Sequence, residues 1–192
     1  MIITIGFSPN ERAQVAALYW DAFGQKLGRV MGPAPRALAF VETVLDPTHA
    51  LCARNEAGEI LGVAGFKTHS GALVGGALRD LITHYGLFGS LWRMTLLGLL
   101  ERDTENARFL MDGIFVDDGA RGRGVGTALL DAICAEARAR GYAEVRLDVI
   151  DSNLRARALY ERVGFVAGKV HHLGVLRHVF GFSSATVMVR QV

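Results

Sequence analysis

Gly122, Gly124 and Gly126 alternate with other residues at the point where an extended pattern gives way to a helical one. Upstream, Phe109 to Val116 reads as a strand, and Asp117 to Ala120 reads as a turn. Downstream, Gly124 to Arg140 reads as a helix with Val125, Ala128, Leu129, Ala132 and Ile133 on its apolar face, ended by Gly141 as a C′ glycine. Glycines at such a junction let main-chain N–H groups approach a ligand without obstruction by Cβ. The first helical turn adds unpaired N–H groups and a positive dipole end. Arg121 and Arg123 add charge, so the segment Arg121–Thr127 is suited to an anion of pyrophosphate type.

The rest of the chain supplies strands and helices around this junction. Ile2 to Phe7 reads as a strand, and Ser8-Pro9-Asn10-Glu11 as a helix start with a capping box. Val15, Leu18, Tyr19, Ala22 and Phe23 then follow at helical spacing. The stretch from Gly28 to Pro35 interrupts this pattern, and Pro35 to Leu45 resumes it. Ala50 to Asn55 and Glu59 to Lys67 form a hairpin pattern around Glu56-Ala57-Gly58. Ala143 to Ile150 is a further strand with Val145, Leu147 and Val149 on one face. Asp151 or Ser152 can cap a helix from about Asn153 to Val163, which Gly164 stops. Strands near Phe165–Val170 and Ala185–Val189 complete the chain.

Residues 70–108 stand apart, with Leu81, Ile82, Tyr85, Leu91, Trp92, Leu96, Leu97 and Leu100 in mixed helical spacing. Arg79, Asp80, His84 and Arg93 interrupt the apolar run well short of the roughly 20 residues that a membrane span needs. This stretch is expected to be one or two inserted helices, either packed on the domain or offering a lid or homodimer surface.

A chain of 192 residues, 51% hydrophobic and 21% charged, suits one globular α/β domain. A formal net charge of +2 with scattered basic residues gives no nucleic-acid footprint. Cys52 and Cys134 form neither a metal spacing nor a disulfide framework. The N-terminus lacks a signal-peptide pattern, so a reducing cytoplasm is the expected compartment. His171, His172 and His178 lack a carboxylate–cysteine cluster, and adjacent strand histidines face opposite ways, so no metal is expected. Phe180-Gly181-Phe182 is expected to pack a turn before the last strand.

Two nucleotide motifs compete for the glycine turn. A P-loop needs a lysine after its last glycine, where Thr127-Ala128 stands instead. A Rossmann fingerprint needs glycine or alanine at Thr127, although Asp148 would suit a ribose contact and keeps an NAD(P)-binding oxidoreductase as an alternative. A tight strand–helix turn without a ligand is the bland alternative.

Arg121-Gly122-Arg123-Gly124-Val125-Gly126 resembles the Arg/Gln-x-x-Gly-x-Gly/Ala motif of the GNAT acetyltransferase superfamily. Asn153-Leu154-Arg155-Ala156-Arg157-Ala158-Leu159-Tyr160-Glu161-Arg162-Val163-Gly164-Phe165 is similar to that family's Asn-x-x-Ala-x-x-x-Tyr-x-x-x-Gly-Phe segment. The resemblance covers roughly Phe109 to Phe165. It implies the GNAT α/β fold, a mixed, centrally splayed sheet with helices on both faces, here with a helical insertion. It implies acetyl-CoA as cosubstrate, with Ile114, Phe115 and Val116 lining the pantetheine arm, Arg121 to Thr127 binding the pyrophosphate, and Asn153 helping to hold the arm. It further implies direct attack by a primary amine of a small molecule or peptide. Tyr160 matches the general acid, and the Val116 N–H is the implied oxyanion donor. Asp148 matches the acidic position of ribosomal-protein N-terminal acetyltransferases, and Asp112 the region of the base in histone-type enzymes; a water chain, Glu101 or Asp103 are further candidates. A catalytically silent acyl-CoA sensor is the rival reading.

Overall fold

The computed structural model describes residues 1–100 and 107–192. In chain order its elements are β1 (Ile2–Ile5), α1 (Arg12–Met31), α2 (Ala34–Val44), β2 (Ala50–Arg54), β3 (Ile60–Thr68) and β4 (Gly71–Ala72). There follow α3 (Leu78–Leu100), β5 (Phe109–Val116), α4 (Val125–Ala139), β6 (Glu144–Ile150), α5 (Leu154–Arg162), β7 (Val166–His172), α6 (Arg177–Phe180) and β8 (Ser184–Gln191). The strands form one sheet in the order β1-β2-β3-β5-β6-β8-β7, with β4 on β3. The β5–β6 pair is parallel and the other pairs are antiparallel, so the sheet is mixed, as expected.

Each face of the sheet carries its own core. On one, α1, α2 and α6 cover Val15, Val30, Phe40, Phe115 and Phe180. On the other, α4 and α5 cover Phe66, Phe109, Leu129, Ile133 and Tyr160. Alternation along β2 feeds both, since Ala50 and Cys52 join the first core and Leu51 and Ala53 the second. Strand β5 breaks this rule: Phe109 and Met111 face the α4 core, yet Phe115, at the same parity, faces the α1 core. A bulge explains the switch. Gly65 opposes Gly113 while Phe66 opposes Met111, so Asp112 is the extra residue and the side-chain sense inverts after it.

Local chemistry sets the helix ends. Glu11 accepts from the Ser8 N–H at 2.7 Å and also receives the Arg54 guanidinium, which holds its carboxyl down at about 2. The expected break at Gly28 does not occur, and α1 runs on to Met31. A single glycine is tolerated inside a helix, whereas Gly32-Pro33 removes a donor and forces extended backbone (Gly32 ψ 164). The cap of α5 also differs from expectation. Asn153 is the N-cap, its Oδ1 accepting from Ala156 N at 3.1 Å. Asp151 is engaged elsewhere, accepting from Ser183 N and Ser184 N at 3.1 Å each.

The stretch expected to be an insertion forms, among its described residues, β4 and then α3, whose helical backbone is interrupted at Gly86 (φ 67, ψ 171). One side packs: Leu81 and Tyr85 are buried, the Tyr85 hydroxyl donates to Met31 O at 2.6 Å, and Arg93 Nε donates to Val30 O at 2.7 Å. The other side leaves Leu87, Phe88, Leu91, Trp92 and Met94 exposed. Among the described residues, no helix is long and apolar enough to cross a membrane.

Candidate active site

The site begins where β5 and β6 part. Among the described residues they pair only at Phe109 with Val145 and Leu110 with Arg146; beyond these β6 keeps β8 on its other edge while β5 parts from it. On its other edge β5 stays paired with β3 up to Val116 opposite Gly62. Asp117 N donates to Leu61 O at 2.9 Å, so by the antiparallel alternation Phe115 also points its main chain at β3. Ile114 and Val116 therefore direct their N–H and C=O groups into the gap. Phe115 contributes its ring instead, edge-on to Tyr19 and Phe23 of α1.

A cavity of about 770 Å³ occupies this gap, lined by Met111–Val116 of β5 and Leu147–Ile150 of β6. That is the size range of small-molecule and cofactor sites. Arg121, Gly122, Gly124, Val125, Gly126 and Thr127 also line it, while Arg123 is exposed and lies outside the lining. Gly122 (φ 76) and Gly124 (φ 81) adopt the left-handed region, and a Cβ on either would meet open space. Gly126 serves packing, since a Cβ there would lie 3.0 Å from the Leu159 side chain of α5. The first hydrogen bond inside α4 is Ala128 N to Gly124 O, which leaves the amides of Val125, Gly126 and Thr127 directed out of the helix end. Arg121 is tied back, its Nε donating to Val116 O at 3.3 Å and its Nη2 pairing with Asp118. It thus holds the β5–α4 turn together as well as charging it.

Helix α5 places two further predicted residues on the cavity. Asn153 lines it while its Oδ1 caps the helix, leaving the amide nitrogen for a ligand. Tyr160 is buried (6% exposed) against Phe165. Its hydroxyl has no hydrogen-bond partner among the described residues, and no buried side-chain oxygen there is unsatisfied, which together put the hydroxyl on the cavity wall. Burial pushes the phenol up to about 12, so it remains protonated across the physiological range.

The two carboxylates predicted from sequence come together. Asp148 opposes Val145, Leu147 and Val149, and Asp112, opposite in sense to Met111, points to the same α1 face. Asp148 is half-exposed, with the buried Arg146 guanidinium 3.3 Å away. Glu101 and Asp103 lie outside the described residues. Four residues that the sequence reading did not assign to the site complete this end: Phe23 and Lys26 from α1, and Phe180 and Phe182 from the segment expected only to pack a turn. That segment does pack, with Gly181 (φ 76) ending α6, but it also walls the cavity. Burial draws the Lys26 ammonium below the usual lysine value, opposed by the charges of Asp112 and Asp148. A helical period from Phe23 to Lys26 was the available signal, since residues three apart share a face. Among the described residues of 70–108, none lines the cavity.

Both cysteines are buried, and burial raises both thiols, Cys52 to about 12. Neither suits a nucleophile. Among the described residues, no three histidine, cysteine or acidic side chains gather as a metal site would require.

Comparison with known proteins points to one family. The model of the Acetyltransferase (GNAT) family matches residues 12–165. No curated protein matches. Among solved structures, an acetyltransferase matches with 20% identity and a TM-score of 0.64 over 100% of both chains. An N-acetyltransferase from Staphylococcus aureus Mu50 matches with 15% identity and a TM-score of 0.65, over 99% of this chain and 100% of its own. An acetyltransferase from Bacillus anthracis str. Ames, in complex with acetyl coenzyme A, matches with 17% identity and a TM-score of 0.51, over 74% of this chain and 61% of its own. At these identities the likeness is one of fold.

Proposed function

Since the chain belongs to the GNAT acetyltransferase family and has its fold, we propose that it transfers the acetyl group of acetyl-CoA directly to a primary amine of a small molecule or peptide. The observation that carries this reading is the parting of β5 from β6 in front of the α4 N-terminus. Such a gap suits a thin, amide-bearing arm that can bond to the main chain of Ile114 and Val116. The open Cβ directions at Gly122 and Gly124 leave room for a diphosphate against the α4 amides.

Acetyl-CoA supplies an activated thioester, and the chain supplies placement and proton handling. The amides of Val125, Gly126 and Thr127, with Gly122, Gly124 and the Arg121 charge, hold the diphosphate; the exposed Arg123 adds charge from outside the cavity wall. Asn153, Ile114, Phe115 and Val116 line the arm. The Val116 N–H, aimed into the gap, is placed to stabilise the developing oxyanion. Asp148 accepts the proton that the attacking amine must lose, because an alkyl ammonium has a pKa of about 10.4. Asp112 is the second candidate for this step. Tyr160 protonates the leaving thiolate. A phenol held near 12 gives its proton only to a thiolate desolvated in the same cleft, since a free thiol sits at about 8.5. Burial of the sulfur beside Tyr160 is thus part of the mechanism. We place the protein in a reducing cytoplasm, in keeping with its two free cysteines.

The test is an amine-panel acetylation assay with a free-thiol readout. Turnover of at least one primary amine supports transfer. CoA binding with no turnover across the panel would mark a silent acyl-CoA sensor, and thermal stabilisation by NAD instead of acetyl-CoA would mark a dinucleotide enzyme.

A further inference from the structure

An amine of the chain itself already stands at the acceptor end of the cavity. Lys26 Nζ lies 5.5 Å from the centre of the Phe182 ring and 6.0 Å from that of Phe23. Phe23 in turn presses on β5, where a Cβ at Gly113 would come within 2.8 Å of its ring. This contact docks α1 on β5, so that Lys26 lines the same cavity as Ile114 and Val116, the residues that turn their main chain into the gap. Asp112 and Asp148, the two carboxylates of the site, act on the Lys26 charge from the strands on either side of that gap. Aromatic faces and carboxylates are the groups that receive an alkyl ammonium from water. They are also the groups that an incoming amine substrate would need.

From this arrangement we propose that Lys26 is an internal acetyl acceptor, modified by the chain's own transfer chemistry when no external amine fills the site. The inference rests on the proposed acetyl transfer. The neutral Nζ attacks the thioester carbonyl carbon of acetyl-CoA; the C–N bond forms and the C–S bond breaks. One nitrogen proton passes to Asp148, and the thiolate takes its proton from Tyr160, giving acetyl-lysine and free CoA. The product is a stable amide, so the reaction stops at one event per chain. The modified side chain has lost its charge and fills the acceptor end. Burial favours the neutral, reactive amine and so serves the step.

The chain has only three lysines, Lys26, Lys67 and Lys169, which makes the assignment simple. Full-length protein, purified and treated with a deacetylase, is incubated with isotope-labelled acetyl-CoA and mapped by peptide mass spectrometry over time. The expected result is label at Lys26 at least ten times faster than at Lys67 or Lys169. Labelling at Lys26 should slow in Tyr160→Phe to the rate of the other two lysines, and should be suppressed by any panel amine that the parent protein turns over. Equal labelling of all three lysines, or Lys26 labelling indifferent to Tyr160→Phe, marks spontaneous acetylation and overturns the proposal. Amine turnover in the same samples separates the two readings. Turnover with unlabelled Lys26 sinks the internal acceptor alone; no turnover with preferential, Tyr160-dependent label at Lys26 retains it. Absence of both, with no stabilisation by acetyl-CoA, sinks the transfer reading as well.

Discussion

The α4 side and the α1 side of the sheet meet the same cavity with different materials. On the α4 side the cavity meets main chain free to bond, namely the helix-end amides, the left-handed glycines and the edge of β5 that β6 abandons, beside the Asn153 and Tyr160 side chains. On the α1 side it is walled by side chains, with Phe23, Lys26, Asp112, Asp148 and Phe182 converging from four separate elements or loops. Main-chain sites bind what many relatives bind, because backbone geometry tolerates most side-chain change outside the glycines. Side-chain sites are where one acceptor is told from another. On this view the α4 side is the cofactor end and the α1 side sets acceptor choice.

Substitutions on the two sides should therefore separate binding from chemistry. The largest effect expected is on the α4 side: Gly124→Asp places a charge and a strained φ at the anion site and should weaken CoA by about 100-fold or more, read by calorimetry. Unchanged affinity would remove the site from the α4 end. Next comes Tyr160→Phe, which keeps the ring packing on Phe165 and should lower kcat by about 100-fold while CoA affinity stays within a few-fold. Equal turnover in variant and parent would dismiss the acid role. Asp148→Asn should lower kcat by roughly 10-fold or more, and an Asp112→Asn variant with the larger loss would move the base to β5. Gly113→Ala, which forces a Cβ onto the Phe23 ring, should cost about 1–3 kcal/mol of stability and disturb acceptor KM more than CoA affinity.

The smallest effect lies outside the cavity. The Arg54 hydrogen bonds hold Glu11 at about 2, below its usual 4.5. A carboxyl depressed in the folded state adds stability that is present in full above about 4.5 and drains away as pH falls toward 2. Glu11→Gln should lower Tm at neutral pH and flatten its fall across that acid window. A parallel fall in variant and parent would show that the pair carries no weight there.

The contrast between the two sides is also a contrast in what the sequence discloses. Gly122, Gly124, Gly126, Asn153 and Tyr160 occur within two short segments, and each acts through local backbone geometry that its own neighbours determine. The strand–turn–helix pattern singled out the glycines, and the resemblance to the family's Asn-x-x-Ala-x-x-x-Tyr segment singled out Asn153 and Tyr160. Lys26 and Phe182 stand at opposite ends of the chain, and only the docking of α1 beside the segment after α6 brings them together. The direction of Phe115 depends on a bulge opposite Gly65 and Phe66, which strict alternation along β5 cannot reveal. Helix α1 teaches the same lesson on a smaller scale. Gly28 reads locally as a break, but its helix is carried through by burial of Val30 and Met31 beneath α3.

The central claim, that exposed amides at the α4 entrance hold a CoA diphosphate, is tested most directly by a crystal structure of the protein with CoA. The diphosphate oxygens should lie within hydrogen-bonding distance of the main-chain nitrogens of residues 122–127, with the pantetheine arm between β5 and β6. A diphosphate bound anywhere else, or an arm that never enters that gap, would contradict the account.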